Sequence, residues 1–123
     1  METRTVDVAI ATPQLVAELD GLRFSALGVP HGRAPALAFR IDGPNFRVVL
    51  SGDQTAHLPA FPRFAKNADV LVVHAMVTDE AASSPLSQVV ALPGLLGRQA
   101  LDAAARHVVL GHLMGVIDVW KRH

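Results

Sequence analysis

Arg47-Val48-Val49-Leu50-Ser51-Gly52-Asp53 is the stretch on which the reading of this sequence turns. Apolar residues of strand character run into a small-residue turn that closes on a carboxylate. Two later runs end in a related way: Val70-Leu71-Val72-Val73 on His74, and Val108-Val109-Leu110 on Gly111-His112. Strands that run the same way bring their carboxyl ends to one edge of a sheet, and the residues just beyond them meet there. An aspartate and two histidines on one edge suit a divalent cation, because zinc takes imidazole nitrogen and carboxylate oxygen at ~2.0–2.2 Å. A carboxylate can also bridge two cations about 3.5–4 Å apart. Each residue has a plainer reading too. Asp53 could cap the amides of the next segment, since Asp is a favoured N-cap. His112 could bond a neighbouring carbonyl, and His74 could be satisfied by its own loop. His31, in Val29-Pro30-His31-Gly32, reads as a loop residue, and His57, His107 and His123 as surface or packing residues.

Upstream of this stretch, Ala36 to Ile41 alternates, with Leu37, Phe39 and Ile41 on one face. Asp42-Gly43-Pro44-Asn45 is a turn by composition, since Gly and Asn tolerate positive φ. Phe46 to Leu50 returns as the partner strand, with Phe46, Val48 and Leu50 on the matching face. Asp20-Gly21 signals a hairpin between Leu15–Leu19, a short strand or a helical turn, and Leu22–Val29. Thr5 to Ala11 also alternates and reads as a half-buried strand. Downstream, Pro59 and Pro62 oppose a long helix over 55–66, but a helix beginning near Pro62 is tolerated. Asp69 to Val73 suits a strand covered on both faces. Thr78 to Gln88 reads as a loop. Leu95 to Arg106 reads as a helix with Leu96, Ala100, Ala103 and Ala104 inside and Arg98, Gln99, Asp102 and Arg106 outside. His107 to Leu110 is the last strand, and Gly115 to Trp120 a short terminal helix or tail.

At 123 residues and 50% hydrophobic content, the chain fits one domain with a core. No apolar run reaches the ~18–20 residues of a membrane span. The charged N-terminus shows no secretory signal. Cysteine is absent, which removes disulfides, thiolate ligands and cysteine nucleophiles. Both features fit a cytoplasmic protein. Lys plus Arg equals Asp plus Glu, 11 against 11, so charge gives no signal for nucleic acid.

Three segments in order, Ala36–Ile41, Arg47–Asp53 and Ala65–Ala75, followed by Val108–Leu113, resemble the second half of metallo-β-lactamase-fold hydrolases. The nearest branch holds ribonuclease Z and arylsulfatase-like enzymes, and the resemblance spans most of Leu22 to Leu113. It implies an α/β (α+β) fold: half of an αββα sandwich, one mixed β-sheet with covering helices, residues 1–123 forming a single partial domain. It implies that Asp53 bridges two metals, zinc or another divalent ion, and that His112 is the last ligand of the second. His31 matches a histidine near the site whose role varies between relatives, and His74 stands close by. The family's His-x-His-x-Asp-His run is absent, and an apolar segment, Ala91 to Leu96, replaces a late histidine. The resemblance thus implies the C-terminal portion of a hydrolase of ester, phosphodiester, sulfate or lactam bonds. Alone it would be incomplete and inactive, with weak or no metal binding. Its partner would be the N-terminal half or a second copy, covering an otherwise exposed sheet face. The alternative is a non-catalytic scaffold or dimerisation module descended from such an enzyme.

Overall fold

The structure, a computed structural model, describes residues 3, 5, 6 and 9–113. Six strands are joined in chain order into one sheet: β1 (Gln14–Leu19), β2 (Leu22–Val29), β3 (Ala36–Asp42), β4 (Arg47–Leu50), β5 (Val70–His74) and β6 (His107–Gly111). Helix α1 (Ala60–Phe64) lies between β4 and β5, and α2 (Pro93–Asp102) between β5 and β6. The first four strands are antiparallel neighbours, whereas β4, β5 and β6 are parallel. The sheet is therefore mixed, and its direction rule is simple. Two reversals from β2 through β3 to β4 leave β2 running the same way as the three parallel strands. The ends of β2, β4, β5 and β6 thus share one edge.

Turn chemistry sets the antiparallel half. Asp20 and Gly21 both take positive φ, 50° and 78°, as a two-residue hairpin turn of this twist requires. Asp42-Gly43-Pro44-Asn45 turns as expected but without positive φ. A Cβ at Gly43 would instead run into the half-exposed Phe46 ring, which would have to swing aside. The Gly43 N–H closes the turn on the Phe46 carbonyl at 2.9 Å.

The helices cover one face only. Ala38, Val49, Leu71 and Val73 point beneath them and are wholly buried against Phe61, Phe64, Ala65, Leu96 and Ala103. On the other face, Phe39 stands opposite Leu50, Leu50 opposite Val72, and Val72 opposite Val109. That apolar row is open: Phe39 is 38% exposed and Val109 48%. The expectation that β5 is covered on both faces therefore fails at Val70 and Val72, which are only half-buried. Both crossovers pass on the same side, and the Phe39–Val109 row of the other face stays partly exposed.

Other expectations need correcting. Thr5–Ala11 forms no strand among its described residues; Ile10 makes a parallel bridge to Gly28, and the Ala11 N–H bonds the Gly28 carbonyl at 3.3 Å. β1 pairs with β2 only as far as Ala26, so the segment meets just the short remainder of that edge, at Gly28. Asp7 and Val8 lie outside the described residues, as do Gly115–Trp120 and His123. Helix α1 begins before Pro62, which sits third in it, where the backbone N–H has no partner within the helix in any case. Thr78–Gln88 contains two short 3₁₀ turns, Asp79–Ser83 and Pro85–Gln88, the second capped by Ser84. Helix α2 starts at Pro93 and stops at Asp102, since Ala104 takes φ 52° and turns the chain toward β6. Ala104 is exposed, whereas Gln99 is buried at 4% exposure.

Asp42 links the sheet to the end of α1. Its carboxylate accepts from Arg40 at 2.6 and 3.0 Å and from Arg47 at 2.6 Å. The same guanidinium groups donate to the Phe64 and Lys66 carbonyls. Partial burial pushes the Asp42 carboxyl up, but the bonds from Arg40 and Arg47 outweigh it and hold it below its ordinary 3.8. A lowered folded value means the stabilisation is present above the unfolded value and disappears as pH falls through the folded one. Asp42→Asn should therefore cost about 1–2 kcal/mol at neutral pH, the partial exposure of the cluster trimming the upper figure. Urea unfolding of both proteins should show the difference shrinking below about pH 3.8. A difference that stays constant into acid would contradict this role.

Candidate metal centre

Strand direction delivers the site. Asp53 follows the end of β4, His74 closes β5, and His112 follows β6. The Ser51 N–H bonds the Val72 carbonyl at 2.8 Å, and the Ser51 hydroxyl accepts from the His74 N–H at 3.2 Å. Ser51, wholly buried, thus pins the end of β4 to the end of β5. The Ala75 N–H bonds the Gly111 carbonyl at 2.9 Å and does the same for β5 and β6. Gly52 carries the turn with φ 62°, packed so closely on the Leu37 carbonyl that no Cβ fits.

Three side chains converge on this frame. His74 Nδ1 lies 2.7 Å from Asp53 Oδ1, and His112 Nδ1 lies 3.1 Å from the same oxygen. The two imidazole rings meet edge to face at 5.2 Å. One donor atom from each of Asp53, His74 and His112 lies within 4.8 Å of the others. His31, from the end of β2, brings Nε2 to 4.0 Å from Asp53 Oδ2. Partial burial raises the Asp53 carboxyl, and the hydrogen bonds from His74 and His112 override it and hold it below 3.8. The centre therefore presents a carboxylate kept ionised among imidazoles. That donor set fits a divalent cation of the zinc type, which takes three protein ligands and leaves a fourth position open in catalytic sites.

His74 differs from its plainer reading: its ring is satisfied by Asp53, not by its own loop. His57 and His107 are exposed and stand apart from the cluster, His107 bonding the Asp69 carbonyl. Two features escaped the sequence reading. The first is the contact of His31 Nδ1 with the Val89 carbonyl, 2.5 Å long and 58 positions away in the chain, for which no local signal exists. The second is a buried amide pair, Gln99 Nε2 donating to Gln54 Oε1 at 3.3 Å. Its signal was present: 96, 99, 100 and 103 form one helical stripe.

No family model and no curated protein matches the chain. Solved structures do. The short form of human tRNase Z superposes with a TM-score of 0.75 at 18% identity, covering 84% of this chain and 40% of the human one. The metallo-β-lactamase-fold protein YhfI from Bacillus subtilis gives 0.71 at 23% identity, covering 93% of this chain and 45% of YhfI. A long-form RNase Z from yeast gives 0.63 at 18%, covering 76% of this chain and 14% of the yeast protein. At these identities the likeness concerns the fold. The chain is α/β, one mixed sheet with covering helices, and has the architecture of part of a metallo-β-lactamase fold. It spans less than half the length of each of these neighbours.

Proposed function

We propose that the chain is a partial domain, the cation-holding C-terminal portion of a metallo-β-lactamase-fold hydrolase acting on an ester, phosphodiester, sulfate or lactam bond. The convergence of Asp53, His74 and His112 on one strand edge carries this reading. The fold likeness supports it, although a fold alone does not fix chemistry. Asp53, His74 and His112 would hold a divalent ion such as zinc, and Asp53 would be shared with a second ion in the complete site. A bound ion of this kind lowers the pKa of water and polarises the bond to be cut. The chain's own residues supply the rest of what is visible. Asp53 contributes fixed negative charge, the two imidazoles bring their nitrogens to the same point, and Ser51 with Gly52 fixes the backbone beneath it. The remaining donors would come from a further half, or a second copy, seated on the open Phe39–Leu50–Val72–Val109 row. A second reading, a scaffold or dimerisation module without catalysis, is favoured by Val90, Ala91 and Leu96. They are packed into the interior where a late histidine would be needed for proton transfer.

Calorimetric titration of the chain with zinc tests the site. We expect binding even by the lone chain, because His74 adds a third donor to Asp53 and His112 where the resemblance implied two, and Asp53→Ala should weaken it by at least about a hundredfold, beyond the usual effect of groups that only support a ligand. Absence of zinc binding by the native chain would overturn the assignment. Turnover of p-nitrophenyl esters, phosphodiesters or sulfates by the chain alone should not exceed that of Asp53→Ala. A clear excess would overturn the incompleteness.

A further inference from the structure

We propose that the buried amide pair Gln54–Gln99 positions Asp53, by fixing where the turn that carries it lies along α2. The proposal rests on the reading of the Asp53 cluster as a cation site.

The turn divides its side chains between two environments. Ser51 is wholly buried and Gln54 is 2% exposed, whereas the Asp53 side chain is 29% exposed and reaches the histidines. Before Asp53 the backbone is held by the bond from Ser51 to β5 and by the packing of Gly52 on the Leu37 carbonyl. After it, the Thr55 N–H bonds the Pro30 carbonyl at 3.0 Å. A side chain makes the tie to α2. Gln99 Nε2, 45 positions further along the chain, donates to Gln54 Oε1 at 3.3 Å.

Stability does not account for this pair. Gln99 shares a helical stripe with Leu96, Ala100 and Ala103, all buried, so a leucine there would continue the core. Each side-chain amide offers two hydrogens and an acceptor oxygen. Gln54 Nε2 and Gln99 Oε1 are nevertheless buried without a hydrogen-bond partner among the described residues. A buried polar atom left unpaired carries its full desolvation cost, whereas apolar groups of similar shape in place of both partners are close to neutral or stabilising. What the amide pair has and a leucine pair lacks is direction. A hydrogen bond weakens steeply as its angle departs from linear, while apolar attraction has no preferred direction. The bond therefore sets the place of Gln54, and with it the place of the residue before it, Asp53. Departures from core-packing rules are expected beside functional sites, where a stability cost is kept for the sake of geometry.

The competing role is a core contact with no bearing on the site. The double variant Gln54→Leu/Gln99→Leu separates the two roles, because it removes the directional bond and both unpaired atoms together. Thermal unfolding, zinc titration and ¹⁵N NMR of the histidine rings in the metal-free protein make the test. We expect the double variant to unfold at or above the native midpoint, and above Gln99→Leu, which leaves the Gln54 amide without its partner. We expect it nonetheless to bind zinc about 10–100-fold more weakly, the usual loss when a group that orients a ligand is removed. Its metal-free His74 and His112 resonances should also move, because both rings contact Asp53 Oδ1. Native-like zinc affinity in the folded double variant overturns the proposal, as do unmoved ring resonances. If the double variant does not fold, Gln99→Met, of similar length and without the amide, carries the same expectations for zinc and for the rings. If the native chain binds no zinc, the cation reading of Asp53 fails, and the metal-free ring resonances still decide separately whether the amide pair positions that carboxylate.

Discussion

Gly52→Ala should destabilise the chain by well over ~2 kcal/mol and weaken zinc binding with it. Two penalties coincide at this position. Its φ of 62° lies in the left-handed region, where a side chain costs roughly 1–2 kcal/mol. Its Cβ would also collide with the Leu37 carbonyl oxygen. That oxygen belongs to β3, whose Leu37 is paired with Gly28 of β2, so a flexible side chain cannot simply swing away. Relief requires either β3 or the turn to move. The turn is the weaker of the two, and moving it displaces Asp53 from His74 and His112. Gly21→Ala provides the control, since it has φ 78° but nothing within 4 Å of a Cβ. It should show the backbone penalty alone and leave zinc affinity unchanged. Thermal unfolding with zinc titration of both variants decides the matter. A Gly52→Ala protein no worse than Gly21→Ala would mean that close packing of the turn on β3 does not hold the site.

The parts of this architecture that were legible in the sequence are those dictated by short-range chemistry. Apolar runs broken by Ser51-Gly52, His74 and Gly111-His112 marked three strand ends, and parallel pairing of β4, β5 and β6 placed them together. Leu37, Phe39 and Ile41 declared their common face through period-two alternation, and that face is the open one. What the sequence withheld depends on competition between distant segments. Ile10 alternates as well as Phe39 does, yet β1 takes the edge of β2 as far as Ala26 and leaves it only Gly28. His31 joins the site because β2 runs parallel in direction to β4, a fact that requires the whole antiparallel register. Its bond to Val89 requires the path of the chain after β5. Gln99 was misplaced for a different reason. Its polarity outweighed its position in the helical stripe, and the facing amide of Gln54 satisfies it only in part, since Gln99 Oε1 and Gln54 Nε2 are buried without a hydrogen-bond partner among the described residues.

The two faces of the sheet can be told apart by one residue type. Phe61 is wholly buried between α1 and the strands, and Phe61→Ala should cost about 3–5 kcal/mol, the transfer cost plus the cavity left behind. Small domains have only about 5–15 kcal/mol to lose, so this variant should sit near the edge of folding. Phe39 offers an equal ring to the other face but is 38% exposed, with Leu50 and Ala26 beside it in the ladder. In the isolated chain, Phe39→Ala should cost about 1–2 kcal/mol, less than Phe61→Ala, because more than a third of that residue is already in water. The contrast reverses if a partner covers the face. Phe39→Asp should then abolish association while lowering the urea midpoint of the monomer by less than Phe61→Ala does, since a half-exposed apolar row gains most of its energetic weight only when it is desolvated. Urea unfolding and sedimentation of the native chain, Phe61→Ala, Phe39→Ala and Phe39→Asp separate these cases. Equal losses from Phe61→Ala and Phe39→Ala, in a chain that sediments as a monomer, would mean that the Phe39 row is covered within the chain itself, and the case for a partner on that face would fall.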